Sequence, residues 1–327
     1  MEKRKLGTHG PEVGAIGLGC MGMTPLYGTP DPEEAKRTIH AAIDAGVTLI
    51  DTADAYAGGK NETLVGEALK DRREQVCLAT KFGNIRHDDG TRSVSGDPEY
   101  VVEACDKSLL RLGVETIDLY FVHRIDPDVP IEDTVGAMKR LIDAGKIRHI
   151  GLSEAGTDTI RRAHAVHPLS ALQTEYSLAT RDVEESILPL CDELGIGFVA
   201  YSPLSRGLMA GKIRDLEVLT DNDRRRAMPR FQGDNLAHNL KLVDALSDLA
   251  ASKQVSVAAV CIAWVMAQRD TVVPIPGCSR RETLNDSLTA LNVHFTEDEF
   301  AQIRKAASET EIIGDRYPQK QMQRLGL

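Results

Sequence analysis

Asp31-Pro32-Glu33-Glu34-Ala35, running on through Ile39, Ala42 and Ile43 to Ala45-Gly46 and then into Val47-Thr48-Leu49-Ile50-Asp51, is the stretch that decides the fold. Asp31 is a helix N-cap residue, and Pro32 suits the first helical position, where its missing N–H costs nothing and its φ is already helical. Ala35, Ile39, Ala42 and Ile43 recur at helical spacing on one face. Gly46 stops the helix. Val47 to Ile50 then forms a short continuous apolar run, the pattern of a strand buried on both faces in a parallel sheet.

The same grammar recurs along the chain. Asp97-Pro98 opens a helix with Val101, Cys105, Leu109 and Leu112 on its apolar face and Gly113 at its end, and the strand Ile117 to Val122 follows. A helix through Val135, Met138, Leu141 and Ile142 ends at Gly145 before the strand Ile147 to Leu152, and another ends at Leu194-Gly195 before Gly197 to Tyr201. Eight strand candidates centre on Ile16, Leu49, Leu78, Leu119, Ile150, Leu172, Val199 and Val273. Eight such units predict an α/β fold, a single (β/α)8 TIM barrel. With no linker or low-complexity tract, residues 1–327 read as one barrel domain. Arg4 to Gly14, with Gly7 and Gly10, reads as a hairpin or loop before the first barrel strand. The polar interval 211–239, with Arg224-Arg225-Arg226, reads as a large loop carrying some helix.

Composition narrows the function. The net charge of -10 argues against a nucleic-acid partner, which needs a basic face, while leaving room for a local basic pocket. None of the six cysteines (Cys20, Cys77, Cys105, Cys191, Cys261, Cys278) forms a C-x-x-C pair or stands at zinc-ligand spacing from a histidine, so no metal is expected. Scattered thiols of this kind read as reduced, in a cytoplasmic protein. The polar start from Met1 to Gly10 lacks a signal peptide's apolar stretch, and no run is long enough to span a membrane. The sequence carries no pointer to oligomeric state.

Gly17-Leu18-Gly19-Cys20-Met21-Gly22 matches the dinucleotide-binding fingerprint G-x-G-x-x-G. That fingerprint opens directly into a helix, whereas here Met23-Thr24-Pro25-Leu26-Tyr27-Gly28-Thr29-Pro30 follows, and its prolines and glycine leave no room for one. The better reading is a glycine-rich loop after the first barrel strand, close to a ligand.

Active-site residues of such barrels sit at the C-terminal ends of the strands. Asp51 ends the second strand, Lys81 the third and His123 the fourth, and Tyr56 lies in the short loop after Asp51. Each alone reads as a cap, a surface charge, a packing ring or a core histidine; all four on one rim read as a site. A tyrosine phenol titrates near 10, and a lysine cation beside it favours the phenolate. A carboxylate orients the lysine, and a histidine donates to a carbonyl oxygen. Together these groups can protonate a developing alkoxide while a cofactor supplies hydride, which no side chain can. At the other end of the site, Tyr201-Ser202-Pro203-Leu204-Ser205-Arg206-Gly207 follows the seventh strand, and Pro276-Gly277-Cys278-Ser279-Arg280-Arg281 the eighth. Barrels often bind phosphate between these two loops, and both offer hydroxyls, amides beside glycine and an arginine.

These residues resemble the aldo-keto reductase family over nearly the whole chain. The resemblance rests on Asp51 to Tyr56 followed by Asn61-Glu62, on Thr80-Lys81, Val122-His123-Arg124, Ile150-Gly151-Leu152-Ser153, Ala200 to Gly207 and Ile275-Pro276-Gly277. It implies a (β/α)8 barrel, an NADPH cofactor, a small carbonyl substrate, and a catalytic set Asp51, Tyr56, Lys81 and His123 with Tyr56 as the acid. It implies that Ser153 and Gln173 hold the nicotinamide carboxamide and that Tyr201 stacks on its ring. Gly22, Met23, Asp51, Ser202, Leu204, Arg206, Gly207, Gly277, Ser279, Arg280 and Asp286 complete the expected cofactor contacts. Three positions depart from the common pattern: Ser153-Glu154 replaces Ser-Asn, Asp286-Ser287 replaces Glu-Asn, and Ser205 replaces a glycine. The fold alone leaves two other functions open: a cofactor-sensing subunit with little turnover, and a sugar or polyol dehydrogenase working oxidatively.

Overall fold

A computed structural model describes residues 1–87, 89 and 91–327. Asp31 caps the first helix (Pro32–Asp44) by accepting from the Glu33 amide at 2.9 Å. Asp97 caps the helix Pro98–Leu112 in the same way, and Gly113 ends it in the left-handed region at φ 66°. Between such helices run eight parallel strands: β1 (Leu18–Gly19), β2 (Leu49–Asp51), β3 (Cys77–Phe82), β4 (Ile117–Val122), β5 (Ile147–Ser153), β6 (Ala171–Glu175), β7 (Gly197–Tyr201) and β8 (Val272–Ile275). They pair in chain order. The Gly17 amide donates to Pro274 O at 2.9 Å and the Gly19 amide to Pro276 O at 3.1 Å, closing β1 onto β8. The fold is the expected (β/α)8 barrel. No single helix among the described residues is long and apolar enough to cross a membrane.

The first strand is displaced from its expected centre. Ile16 lies outside the barrel with Ala15, packed against Ala259 and Ile262 of the helix Val257–Met266. Pairing falls on the glycine-bearing segment because only a bare backbone fits there: a Cβ at Gly17 would lie 2.8 Å from Ile275 Cγ2. The expected N-terminal hairpin forms, Lys3–Lys5 pairing antiparallel with Glu12–Gly14. Its Leu6 and Val13 join the barrel's interior cluster and plug the floor. The interval 211–239 holds short 3₁₀ turns (Leu216–Val218, Arg224–Ala227, Pro229–Phe231), and from Asn235 it is already α-helix.

The strand period of two sorts residues between layers. Leu49, Cys77, Ala79, Leu119, Phe121, Ala171, Val199 and Val273 fill the barrel. Ile50, Leu78, Tyr120, Ile150, Leu172 and Phe198 point outward into the core beneath the helices. Two residues beyond the inward set stand Asp51, Lys81, His123, Gln173 and Tyr201, so interior packing and the upper rim share one alternation. Register fixes their neighbours: Asp51 pairs with Ala79, Lys81 with Phe121, and Gln173 with both Ser153 and Val199.

Gly151 faces the Phe121 ring, and a Cβ there would lie 2.3 Å from Phe121 Cε1 and 2.8 Å from Ala171 O. Gly151→Ala therefore overpacks the barrel and should cost about 1–3 kcal/mol in urea unfolding. Adding Phe121→Leu should recover part of that loss, and equal stability of Gly151→Ala and the wild type would contradict this packing.

Candidate active site

Lys81 is fully buried, and its Nζ donates to Asp51 Oδ1 at 2.5 Å, to Thr52 O at 2.8 Å and to Tyr56 OH at 3.3 Å. The second oxygen of Asp51 accepts from Gln173 Nε2 at 2.8 Å. The rings of Tyr56 and His123 meet edge to face with centroids 5.8 Å apart. The chain turns through three left-handed residues after Tyr56 (Ala57 φ 51°, Gly58 64°, Gly59 86°), which swings the helix Lys60–Leu69 back under the rim. Asn61 and Glu62 of that helix are fully buried. Asn61 accepts from Thr52 Oγ1 at 2.6 Å and donates to Cys20 O at 2.9 Å; Glu62 accepts from Thr80 Oγ1 and Arg111 Nε, both at 2.6 Å. The Asn-Glu pair thus ties β1, β2 and β3 beside the site.

Burial pushes the Tyr56 phenol above its ordinary value; Lys81 pulls it down, Asp51 pushes it up, and the net direction is upward. The expected lowering by Lys81 is present, but desolvation outweighs it. Lys81 itself loses charge stability to burial, yet Asp51 and Tyr56 more than restore it and keep it cationic. Burial first, then the cations Arg124 and Lys81, holds His123 well below the usual imidazole range, so the ring is neutral. Its Nδ1 is buried without a hydrogen-bond partner among the described residues.

A cavity of about 1180 Å³ opens above Asp51, Tyr56 and His123 and reaches Ser279, Arg280 and Asp286. Gly22, Ser153, Gln173, Tyr201, Ser202, Leu204, Arg206, Gly207 and Gly277 also line it. Met23 does not; its side chain is buried in the outer core. Arg281 is engaged by Glu34 at 3.0 Å, whereas the Arg280 side chain is 62% exposed beside Glu282 at 3.9 Å. Arg206, expected at a phosphate, instead pairs with buried Glu175 at 2.7 Å, and its guanidinium lies 4.3 Å over the Tyr317 ring. Ser205, in the place of a glycine, keeps a left-handed φ of 45°, and its hydroxyl accepts from Arg230 at 3.0 Å.

A second polar network was not foreseen. Glu154 accepts from Tyr201 OH at 2.8 Å, from Arg316 Nη1 at 3.0 Å and from the Glu175 amide at 3.0 Å, and Tyr201 also meets Tyr317 OH at 3.1 Å. Glu154 is therefore the anchor by which the C-terminal segment grips Tyr201. Arg316 and Tyr317 belong to no periodic element, so only their charge and aromaticity could have drawn notice.

A parallel barrel whose rim seats a caged lysine against a phenol and a neutral imidazole, at one end of a cavity of about 1180 Å³, has the makings of an oxidoreductase. Comparison with known proteins agrees. The profile of the Aldo/keto reductase family matches residues 15–308. "Probable aldo-keto reductase 1" of Glycine max is 46% identical over 315 residues, covering 96% of this chain and 91% of the relative. The structure of a glycerol dehydrogenase from Gluconobacter oxydans superposes with a TM-score of 0.86 at 28% identity, covering 96% of this chain and 97% of that one. A thermostable aldo-keto reductase in complex with the inhibitor epalrestat gives 0.75 at 29% identity, covering 94% and 99%. This chain belongs to the aldo/keto reductase family. It is accordingly an oxidoreductase of the kind that reduces carbonyl compounds with a nicotinamide cofactor.

Asp54, in the loop between Asp51 and Tyr56, keeps a buried Oδ1 without a hydrogen-bond partner among the described residues. Burial, then Glu62, pushes its carboxyl up to about 7 against the pull of Arg111. A raised carboxyl binds more protons folded than unfolded between its unfolded and folded values, so it removes stability as pH climbs through that window toward 7. Asp54→Asn should raise the urea midpoint relative to the wild type at pH above the window and lose that advantage below it. A constant difference at all pH values would show that Asp54 does not titrate there.

Proposed function

We propose that the protein reduces a small aldehyde or ketone with NADPH, with Tyr56 as the proton donor and residues 1–327 acting as one domain. What carries the reading is the Lys81 ammonium, sealed in the barrel between Asp51 at 2.5 Å and the Tyr56 hydroxyl at 3.3 Å. A lysine kept cationic in that position stabilises the phenolate left when Tyr56 gives up its proton. The residues fit the cofactor: one cavity joins the catalytic rim to Ser279 and Arg280, and the Arg280 guanidinium is 62% exposed with only a loose ion pair to the exposed Glu282 at 3.9 Å. Ser153, Gln173 and Tyr201 would hold the nicotinamide end, Ser279, Arg280 and Asp286 the adenosine end. When bound, NADPH supplies the hydride.

The chain's own residues do the rest. His123, neutral, offers an N–H to the carbonyl oxygen and turns it toward Tyr56. Tyr56 delivers its proton to the oxygen as charge builds there, and Lys81 and Asp51 hold the resulting phenolate pair. Gln173 fixes the second oxygen of Asp51, so the carboxylate cannot swing away from the lysine. The same groups run backward oxidise an alcohol, which is the sense of the glycerol dehydrogenase likeness.

Tyr56→Phe keeps the ring and its packing, so cofactor affinity should hold while turnover falls by roughly 10²–10⁴-fold. Near-normal turnover in that variant would place the acid elsewhere. For cofactor choice, Arg280→Gln should raise KM for NADPH by about tenfold or more, the worth of a charge-assisted phosphate contact of about 1.5–3 kcal/mol, with little effect on NADH. Parallel losses with both cofactors would remove Arg280 from the 2′-phosphate.

A further inference from the structure

Pairing of arginines stops abruptly on one side of the cavity mouth. Around the Glu154 and Glu175 network every guanidinium has a carboxylate: Arg206, Arg230 and Arg316 pair at 2.7, 3.5 and 3.0 Å, and Arg225 nearby meets Asp223 at 2.7 Å. Four other arginines that line the same cavity, Arg86, Arg92, Arg224 and Arg324, make no ion pair among the described residues, and Arg124 beside them feels the Glu154 charge without pairing to it. Their visible bonds are to neutral oxygens. Arg224 donates to Gln321 Oε1 at 2.9 Å, Arg324 to Arg92 O at 3.1 Å, and Arg124 to His123 O at 2.6 Å. This is against expectation in a chain whose 49 acidic side chains outnumber 39 basic ones.

Arg86, Arg92, Arg224 and Arg324 are also mutually repulsive. The Arg92 guanidinium, still largely exposed, is destabilised first by partial burial and then by Arg224, Arg86 and Arg324 around it. Holding like charges together with no counter-ion among the described residues is unfavourable, and such arrangements persist where a ligand supplies the missing charge. The cofactor's phosphates are not that charge. Arg86 and Arg92 stand on the hairpin after β3, and Arg124 on the loop after β4. The expected phosphate loops follow β7 and β8; in a barrel of eight strands β3 and β7 lie on opposite sides. Arg224, from the long excursion after β7, and Arg324, from the C-terminal segment, reach across to the β3 side.

We infer that this arginine rim is an anion subsite, and that the carbonyl substrate carries a carboxylate or phosphate group on the part of the molecule that projects away from Tyr56 and His123. The inference rests on carbonyl reduction as proposed above. Guanidinium forks suit either anion. Because the contact is made equally before and during the chemical step, it acts on KM rather than kcat, and it weakens with salt.

The test pairs each anionic substrate with a neutral counterpart: 4-carboxybenzaldehyde against the near-isosteric 4-formylbenzamide, and glyceraldehyde 3-phosphate against glyceraldehyde, with NADPH. At least one anionic member should show kcat/KM about tenfold or more above its neutral partner, through KM, with the gap closing at high salt. Which pair shows it tells carboxylate from phosphate. Arg224→Gln and Arg324→Gln should collapse that ratio, and exposed Arg92→Gln serves if either fails to fold. Thermal melting with 4-carboxybenzoate, which has no aldehyde, reads the subsite without turnover: it should raise the Tm of the wild type and not of the variants. Turnover of aldehydes with no preference for charge, and no Tm shift, overturns the subsite and leaves carbonyl reduction standing. A Tm shift lost in the variants, with no aldehyde reduced, upholds the anion site and overturns carbonyl reduction.

Discussion

Lys81 is buried to the point of having no solvent contact, and a lysine charge in that position is tolerable only if a carboxylate and hydrogen-bond acceptors surround it. Much of the site follows from meeting that demand. Asp51 has to stand at the end of the neighbouring strand, the Thr52 carbonyl has to turn inward, and the loop has to bring Tyr56 back over the ammonium. Gln173, from β6, then immobilises the carboxylate from the far side. An ion pair of this kind adds little to net stability, because desolvation offsets most of the attraction. Its value lies in pinning geometry: with either partner removed, the other is a stranded charge.

The barrel makes this arrangement possible by dividing each strand between two tasks. Leu49, Ala79 and Phe121 fill the interior, and the next inward positions, Asp51, Lys81 and His123, bear the titrating groups. Packing below and chemistry above thus share a single register, and a slip of one residue would turn the lysine out of the barrel and into the helix layer. The buried helix residues Asn61 and Glu62 brace the same strands from outside, so the rim is held on both sides.

Much of this is legible in the residues alone, for a physical reason. Parallel strands buried on both faces leave short apolar runs, and helices in such folds announce themselves by Asp-Pro starts and glycine stops, as at Asp31-Pro32, Asp97-Pro98 and Gly113. The chemistry stands at strand ends, so Asp51, Lys81 and His123 are found once the strands are. What is not legible depends on contacts between distant segments. The displacement of β1 from Ile16 to Leu18 turns on how close two backbones come at Gly17. The engagement of Arg206 by Glu175 and the burial of the Met23 side chain are set by tertiary neighbours that no local pattern encodes. The clamp of Glu154 on Tyr201 and Arg316 joins positions with no shared periodicity.

That clamp also bears on time. The Gly326 amide donates to Glu154 O at 2.9 Å, and Tyr317 meets Tyr201 at 3.1 Å, so the last segment described here forms part of the rim laid down by β5 and β7. During synthesis the floor hairpin emerges before the strands, which follow in order, but Tyr201 gains Tyr317, and Glu154 its C-terminal partners, only after all eight strands have left the ribosome. A nascent chain can therefore hold a nearly closed barrel with Lys81 already paired to Asp51 and still lack a finished mouth. The contacts that complete Tyr201 therefore depend on the part of the sequence translated after every barrel strand.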